Sequence, residues 1–311
     1  MPNCITVSDL AMRFPGCDAL RQVNLNVPTG SVFALLGENG AGKTTLIRIL
    51  MGFLKPTRGA CTVCQRDPGR EALEIRRRVG YVSDTPSLYS WMSVEQTGWF
   101  TSAFYDDLFL DRYRELTSRY DLPVSRKIRH LSKGQRAKVA LALALAHDPE
   151  LLILDEPTSG LDPLVRRAFL ESMVERAATG KTVLLSSHQI SEVERVADRI
   201  AIIREGRVQL VDLLPRLKEQ VSEVTMTLID PLVTVPIPPS PTEVLSEQLE
   251  GRQRKWLVRD FTPDQRIELE SQSGVSSVQV RSASLEDLFV ACSRDRRPTE
   301  TDLDRSLESN E

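Results

Sequence analysis

Short apolar runs alternate with stretches of helical periodicity over the first two-thirds of the chain. The run at residues 32–36 is continuous and ends at a glycine, and residues 43–51 then show the spacing of a helix. Other apolar runs lie at 5–7, 23–27, 151–154 and 182–185, and further helical patterns lie at 163–178 and 190–197. This alternation predicts an α/β domain with a mainly parallel sheet covered by helices.

Two segments depart from that pattern. Residues 85–130 are rich in aromatic side chains and are predicted to be a helical insert in the α/β core. After residue 211 the chain holds weak strands, short helices and a segment, 231–241, with five prolines, which excludes a regular helix or central strand there. We therefore predict an α/β domain over 1–212, a small α+β appendage over 213–294, and a charged, disordered tail over 295–311.

The elements predicted in the appendage are few. Strands are expected at 221–228, 255–258 and 275–280, and helices at 264–270 and 285–292.

Composition narrows the classes of partner. Apolar residues make up 41% of the 311 residues and the net charge is −3, which allows a packed core and gives no basic surface for nucleic acid. The sequence has no apolar stretch long enough to span a membrane and no secretory signal pattern. Any work at a membrane is therefore expected at its cytoplasmic face, as a peripheral subunit acting through a partner.

Five cysteines are too few for a disulfide scaffold, but Cys61 and Cys64 form a C-x-x-C motif. One interpretation is a metal or redox pair, and the other is two ordinary reduced thiols. If residues 60–63 are a strand, the two side chains point to opposite faces, and no second Cys or His pair follows. The pattern favours ordinary thiols.

The segment Gly37-Glu38-Asn39-Gly40-Ala41-Gly42-Lys43-Thr44 fits the pattern G-x-x-x-x-G-K-[ST], between a buried strand and a helix. Successive backbone N–H groups of such a turn form a concave site for an anion, and the helix start adds partial positive charge. Lys43 is expected on the β- and γ-phosphates and the Thr44 hydroxyl on Mg²⁺. The chain is therefore predicted to be a P-loop NTPase that binds a nucleotide.

Four apolar residues precede Asp155 and Glu156, so that a buried strand is expected to place both acids at the sheet edge beside the phosphate loop. Asp155 is predicted to hold Mg²⁺, and Glu156 to polarise the attacking water. The alternative is that the two acids only begin a polar loop.

The segment Leu131-Ser132-Lys133-Gly134-Gln135, before a strongly helical run, resembles the signature of the ABC ATPases. Ser159-Gly160-Leu161-Asp162 resembles the family's D-loop, His188 its switch histidine, and Phe14 the aromatic residue that stacks on adenine. The resemblance implies an ABC-type ATPase core with a helical subdomain, using ATP and Mg²⁺. The implied nucleotide-binding residues are Phe14, Gly37, Glu38, Asn39, Gly40, Ala41, Gly42, Lys43, Thr44, Thr45, Ser132, Gly134, Gln135 and Asp162. The implied metal ligands are Thr44, Asp84 and Asp155, and the implied catalytic residues are Lys43, Glu156 and His188.

Several of these residues also have plain structural interpretations. Phe14 could be a core aromatic, His188 a structural histidine, and Asp162 the residue that starts the helix at Pro163. Two positions depart from the family pattern. Lys133 replaces the usual glycine of the signature, and Asp84 occupies the place of a glutamine that links the metal to the membrane partner.

The resemblance also implies partners. Two copies are expected to form a homodimer with ATP between one phosphate loop and the other signature. The aromatic insert is expected to bind an integral membrane permease, with Tyr89, Trp91 and Met92 at the contact; the alternative is that the aromatic side chains pack the core of the insert itself. The segment 284–289 is similar to one in the appendages of exporter-type members, which favours export over import. Alternatives are a soluble ABC ATPase that acts on ribosomes or DNA, and a regulatory subunit that binds ATP without hydrolysis. The single nucleotide unit and the short interval before the signature argue against the former. Glu156 and His188 argue against the latter, but Asp84 leaves it open.

Overall fold

The computed structural model describes residues 2–158, 161–230 and 242–293. The chain divides into two compact units, with the boundary after Asp212. The proline-rich segment 231–241 and the tail 295–311 lie outside the described residues, as do Ser159 and Gly160 of the predicted D-loop.

The first unit contains two sheets and their covering helices. Its strands are β1 (Asn3–Phe14), β2 (Cys17–Pro28), β3 (Val32–Leu36), β4 (Arg58–Val63), β5 (Val79–Val82), β6 (Leu151–Asp155), β7 (Thr182–Ser187), β8 (Arg199–Arg204) and β9 (Arg207–Leu213). Its helices are α1 (Lys43–Leu50), α2 (Ala72–Arg78), α3 (Val94–Ser102), α4 (Phe109–Arg119), α5 (Lys133–Leu145), α6 (Pro163–Ala178) and α7 (Ile190–Val196), with a 3-10 turn at Ile128–His130.

The larger sheet has the strand order β5-β6-β7-β3-β8-β9. Neighbouring strands from β5 to β8 run parallel. Every residue of β3, β6 and β7 is buried, as expected for parallel strands covered on both faces. The predicted parallel α/β core is confirmed.

The smaller sheet, in the order β2-β1-β4, is antiparallel and was not predicted. Its strands β1 and β2 each span 12 residues, far more than the predicted 5–7 and 23–27. The register between them shifts at several points, for example between Val7 and Leu10, and each shift interrupts the alternation of apolar and polar residues. The sequence pattern therefore marked only the regular parts of these strands.

The helical insert begins later than predicted. Residues 85–93 contain no helix, and α3 starts after Ser93, whose hydroxyl accepts a hydrogen bond from the backbone N–H of Gln96. The Gln96 side chain accepts one from the Ser93 N–H in return, which completes a capping box. The insert packs Phe109 and Tyr113 of α4 onto α5, with both rings fully buried.

The second unit is a small α+β domain. It contains α8 (Leu214–Gln220), β10 (Val221–Leu228), β11 (Glu243–Glu250), β12 (Gln253–Arg259), α9 (Pro263–Ser271), β13 (Val275–Ser282) and α10 (Leu285–Ser293). Its antiparallel sheet has the order β11-β12-β10-β13 and a core around Trp256. The sequence missed β11, whose three glutamates are typical of a charged edge strand, and it missed α8.

Within the described ranges, no helix is both long and apolar enough to cross a membrane.

Candidate active site

The candidate site lies at the carboxyl ends of three neighbouring parallel strands. Leu36 of β3 is paired with Ser187 of β7, and Ser186 of β7 is paired with Asp155 of β6. The residues that follow these ends are therefore neighbours in space: the glycine-rich loop after β3, Glu156 after β6 and His188 after β7. Segments that are distant in sequence meet here because the sheet aligns them, as is usual for ligand sites in open α/β sheets.

The glycines of the loop are required by its geometry. Gly42 has a φ of 108°, and a Cβ there lies 2.6 Å from the Ala19 carbonyl oxygen of β2. Gly40 has a φ of 84° and nothing within 4 Å of the position a Cβ takes, so its backbone faces open space. The loop is thus closed against the protein on one side and open for a ligand on the other.

Lys43, the first residue of α1, is buried with 5% of its surface exposed. Its ammonium donates hydrogen bonds to the carbonyl oxygens of Gly37 at 2.6 Å and Glu38 at 3.2 Å. It also forms an ion pair with Oε1 of Glu156 at 3.1 Å. The loop therefore encircles a fixed positive charge.

Glu156 links Lys43 to His188. Its Oε2 lies 2.8 Å from Nδ1 of His188, while its backbone N–H donates to the Ser186 carbonyl oxygen at 3.2 Å. Glu156 has a φ of 49°, a left-handed conformation that is uncommon for a residue other than glycine. Backbone outliers of this kind concentrate at functional sites, because surrounding contacts must hold them.

Asp155 is only 2% exposed and accepts a hydrogen bond from the Ser186 hydroxyl at 2.6 Å. It lies at the tip of β6, one residue before Glu156.

A cavity of about 590 Å³ opens over the loop. The predicted residues that line it are Phe14, Glu38, Asn39, Gly40, Gly42, Lys43, Thr44, Thr45, Asp84 and Glu156. Phe14, at the end of β1, is 36% exposed, so it is a cavity-wall residue rather than a core aromatic.

The signature residues are not among those lining that cavity. Ser132 is the N-cap of α5: its hydroxyl accepts a hydrogen bond from the Gln135 N–H at 3.1 Å, and Oε1 of Gln135 accepts one from the Ser132 N–H at 3.0 Å. Gly134 lies between them. The serine and glutamine of the signature thus form a capping box that holds the start of this helix.

Asp162 also holds a helix start. Its Oδ1 accepts a hydrogen bond from the Val165 N–H at 3.0 Å, at the beginning of α6. Asp162 therefore starts helix α6, as its structural interpretation predicts.

Sequence reasoning missed Glu192, a carboxylate of α7 with 2% exposure. It accepts hydrogen bonds from the hydroxyls of Thr158 at 2.7 Å and Ser187 at 3.1 Å, and its Oε1 lies 3.3 Å from Nε of Arg166. It thereby ties the segment after Glu156 to the strand end that carries His188. The sequence offers no signal for it, since Glu192 and Glu194 look alike on the same short helix.

A parallel sheet that presents a glycine-rich loop, a buried lysine and two acids at one edge defines the chain as a P-loop nucleotide-binding protein. The family model described as ABC transporter matches residues 20–159.

Three relatives illustrate the similarity. An ABC transporter ATP-binding protein of Nostoc sp. (strain PCC 7120) is 40% identical over 201 residues, which are 61% of this chain and 58% of that protein. ABC transporter ATP-binding protein NatA of Bacillus subtilis is 34% identical over 66% of this chain and 87% of its own length. Nod factor export ATP-binding protein I of Rhizobium johnstonii is 33% identical over 66% and 68%.

Solved structures agree. The structure of an ATP-binding subunit of an ABC transporter is 32% identical to this chain, is matched over 70% of this chain and 92% of its own length, and has a TM-score of 0.64. A dimeric bacterial ABC transporter cassette is 25% identical, covers 68% and 98%, and has a TM-score of 0.61. The chain belongs to the ABC transporter ATP-binding proteins.

Proposed function

We propose that this chain hydrolyses ATP as the motor subunit of an ABC transporter, acting at the cytoplasmic face of a membrane through separate membrane-embedded subunits. The observation that carries the proposal is the row of Lys43, Glu156 and His188, joined by contacts of 3.1 and 2.8 Å beside the glycine-rich loop. A fixed cation that can bind phosphate, a carboxylate that can orient water and an imidazole beside them are suited to the transfer of a phosphoryl group to water.

Each member of the row has a distinct role in this proposal. Lys43 binds the β- and γ-phosphates, and Glu156 accepts a proton from the water that attacks the γ-phosphate. His188 holds the Glu156 carboxylate through Nδ1 at 2.8 Å and is proposed to contact a γ-phosphate oxygen. Glu192 is a positioning residue, because it fixes both segments that carry these side chains without facing the cavity itself.

Mg²⁺ fits the oxygen donors at this edge: the Thr44 hydroxyl and the carboxylates of Asp155 and Asp84. When bound, the ion supplies charge neutralisation at the β- and γ-phosphates. The hydrogen bond from Ser186 fixes the orientation of Asp155, which is the usual way in which a ligand carboxylate is held.

We also propose a homodimer. Ser132, Gly134 and Gln135 lie at the start of the 13-residue helix α5, where the helix dipole and the N–H groups that the capping box does not use favour an anion. Placed over the cavity of a second copy, this helix start closes on the γ-phosphate of ATP but not on ADP, and the exposed Lys133 adds a cation beside it. The similarity to a cassette solved as a dimer supports this arrangement.

The permease is proposed to bind the aromatic patch, which we define as Tyr89, Trp91, Phe100 and Phe104. Tyr89, Trp91 and Phe104 are each more than half exposed. The rings form one chain, with centroids 6.0 Å apart for Tyr89 and Trp91, 5.6 Å for Tyr89 and Phe100, and 5.7 Å for Phe100 and Phe104. Contiguous exposed apolar surface of this kind marks an interaction site. Met92, which was predicted to belong to this surface, is buried.

Export is the proposed direction of transport. The segment 284–289 that resembles exporter appendages begins α10, where Asp287 accepts hydrogen bonds from the N–H and hydroxyl of Ser284 and from Arg281. One of the relatives is named for the export of Nod factor. A neighbouring reading frame for about six membrane spans, without a periplasmic-type binding protein, is the genomic observation that this proposal requires.

The double substitution Tyr89→Ser/Phe104→Ser tests the motor function and its docking surface together. We expect the wild-type chain to hydrolyse ATP and to copurify with the membrane protein from the neighbouring frame. The double variant should bind ATP equally well but lose at least about 90% of that copurification, because exposed aromatic anchors dominate such interfaces. Leu73→Ser, at an exposed apolar site on α2, is the control. Copurification of the double variant at the wild-type level contradicts the assignment of the patch.

Asp84→Ala tests the metal role. Because Asp84 is exposed at the cavity wall, its carboxylate is expected to contribute modestly, so the Mg²⁺ concentration for half-maximal nucleotide binding should rise about fivefold. The readout is the fluorescence of a bound ATP analogue during a Mg²⁺ titration, with Asp111→Ala on the surface of α4 as control. An unchanged Mg²⁺ dependence, together with unchanged ATPase and transport rates, refutes the role.

A further inference from the structure

The C-x-x-C motif does not form a thiol pair of its own, because Cys64 faces Cys4. In the β1–β4 register the outermost pair is Ile5 with Val63, and Cys4 and Cys64 are the next residues of the two segments. The Cys64 N–H donates to the Cys4 carbonyl oxygen at 2.8 Å, and the two Sγ atoms are 3.8 Å apart. Both thiols are buried. The predicted strand over 60–63 is present as part of β4, but β4 ends at Val63, so Cys64 lies in the turn and the alternation of faces does not extend to it.

The turn that holds Cys64 has an unusual sequence for its shape. Cys64 and Gln65 have φ values of 47° and 64°, and Val63 and Arg66 exchange both backbone hydrogen bonds, at 2.8 and 2.9 Å. A two-residue turn with both central residues left-handed strongly prefers Asn-Gly. A cysteine in the first of these positions is disfavoured by backbone sterics, so its presence points to a use for its side chain.

Small solutes can reach the pair. Cys4 and Cys64 line a cavity of about 340 Å³ together with Arg78, Glu150, Lys181 and Thr182. The hydrogen bond from Cys64 lowers the pKa of Cys4, with a smaller contribution from Thr182, against the opposing effects of burial and Glu150. That same hydrogen bond and burial raise the pKa of Cys64. The contact between the two thiols thus leaves Cys4 with the lower pKa of the pair.

We propose that Cys4 and Cys64 form an oxidation site for a small peroxide, which joins them in a reversible disulfide. The Cys4 thiolate attacks one oxygen of hydrogen peroxide, the O–O bond breaks, and a sulfenic acid and hydroxide form. The Cys64 thiol then attacks the sulfenic sulfur, its proton leaves with the departing hydroxyl as water, and an S–S bond forms. Two thiols and one peroxide thus give one disulfide and two water molecules.

A backbone hydrogen bond already holds the two residues side by side, with the Cys64 nitrogen 2.8 Å from the Cys4 carbonyl oxygen. The product needs the Sγ atoms, which are 3.8 Å apart, to close to about 2.05 Å. A Cys4–Cys64 disulfide closes a covalent loop over residues 4–64, which includes the phosphate loop. The two thiols lie by Glu150 and Thr182 at the amino ends of β6 and β7, whereas the nucleotide cavity lies at the carboxyl ends of these strands. Oxidation should therefore raise thermal stability and leave ATP binding unchanged.

The test uses the full-length reduced chain treated with a small molar excess of hydrogen peroxide. Free thiols titrated in denaturant should fall from five to three, and a non-reducing digest should contain one peptide that links Cys4 to Cys64, lighter by about 2 Da than the sum of its parts. The melting temperature should rise by about 5–10 °C, and a dithiol should reverse the change. Cys4→Ser and Cys64→Ser should each prevent both the link and the rise, whereas Cys17→Ser, at an exposed thiol, should not.

Three outcomes overturn the proposal. The first is that all five thiols survive the treatment. The second is that Cys4 accumulates as sulfinic or sulfonic acid with no link to Cys64. The third is that the link joins Cys61 to Cys64, or joins two chains through Cys17.

Discussion

Glu156→Gln is expected to reduce the rate of ATP hydrolysis at least about 100-fold while leaving ATP affinity close to that of the wild type. The substitution keeps the shape of the side chain but removes the negative charge that accepts the water proton and that pairs with Lys43 at 3.1 Å. Because ATP is then bound but not cleaved, the protein should accumulate as an ATP-bound dimer with about twice the 34.9 kDa mass of one chain. Single-turnover hydrolysis and light scattering with ATP or ADP measure the two effects.

The matched control is Glu171→Gln, an exposed glutamate of α6 that pairs with Arg167. It should hydrolyse ATP at the wild-type rate, because neutralising a surface ion pair changes little. A Glu156→Gln protein that turns over ATP within a few-fold of wild type shows that another group is the base, and the row of Lys43, Glu156 and His188 then needs a different explanation.

Gly98→Ala is expected to destabilise the protein by about 3 kcal/mol through overpacking of the helical insert. A Cβ at this position of α3 lies 2.1 Å from Cδ1 of Tyr113 and 2.2 Å from its Cε1. Tyr113 cannot move aside, because its ring is fully buried and its hydroxyl donates to the Val94 carbonyl oxygen at 2.8 Å. Helix propensity alone predicts the opposite sign, a gain of about 1 kcal/mol on replacing glycine by alanine. The steric term is the larger, so α3 must shift away from α4.

Urea denaturation measures the free energy of unfolding of Gly98→Ala and of two comparison proteins. Gly69→Ala should change it by less than about 0.5 kcal/mol, because the nearest atom there is the side-chain oxygen of Asp67, which can move. Adding Tyr113→Leu to Gly98→Ala should recover part of the loss, a coupling expected of residues in direct contact. A Gly98→Ala protein as stable as the wild type contradicts the packing of these two helices.

The sequence predicted the site best where one short segment specifies its own geometry. The glycine-rich loop, Lys43 and the acid-tipped β6 were all identified, because a continuous apolar run ending in specific polar residues has few structural solutions. The sequence predicted that Lys43, Glu156 and His188 lie near one edge of the sheet. It could not predict their direct contacts, because the distances between strand ends depend on how the strands pack.

The missed features depend on contacts between distant segments. The C-x-x-C motif suggests that Cys64 is paired with Cys61, but the thiol that Cys64 contacts is that of Cys4 on β1. Glu192 was invisible because burial and its two hydroxyl donors come from α7 packing against the strand ends. The capping box of Ser132 and Gln135 can be predicted from a serine three residues before a glutamine at the start of a helical run. The family resemblance predicts only that these residues contact a nucleotide.

The central claim, that two copies enclose ATP between one phosphate loop and the other signature, is tested most directly by a cross-link between chains. In a Glu156→Gln background with the native cysteines replaced by serine, one protein carries Asn39→Cys in the phosphate loop and the other carries Lys133→Cys in the signature. After mixing, Mg²⁺ and ATP should give a disulfide-linked pair that contains one of each, and ADP should give none. A yield that is the same with ATP, with ADP and without nucleotide contradicts the nucleotide sandwich.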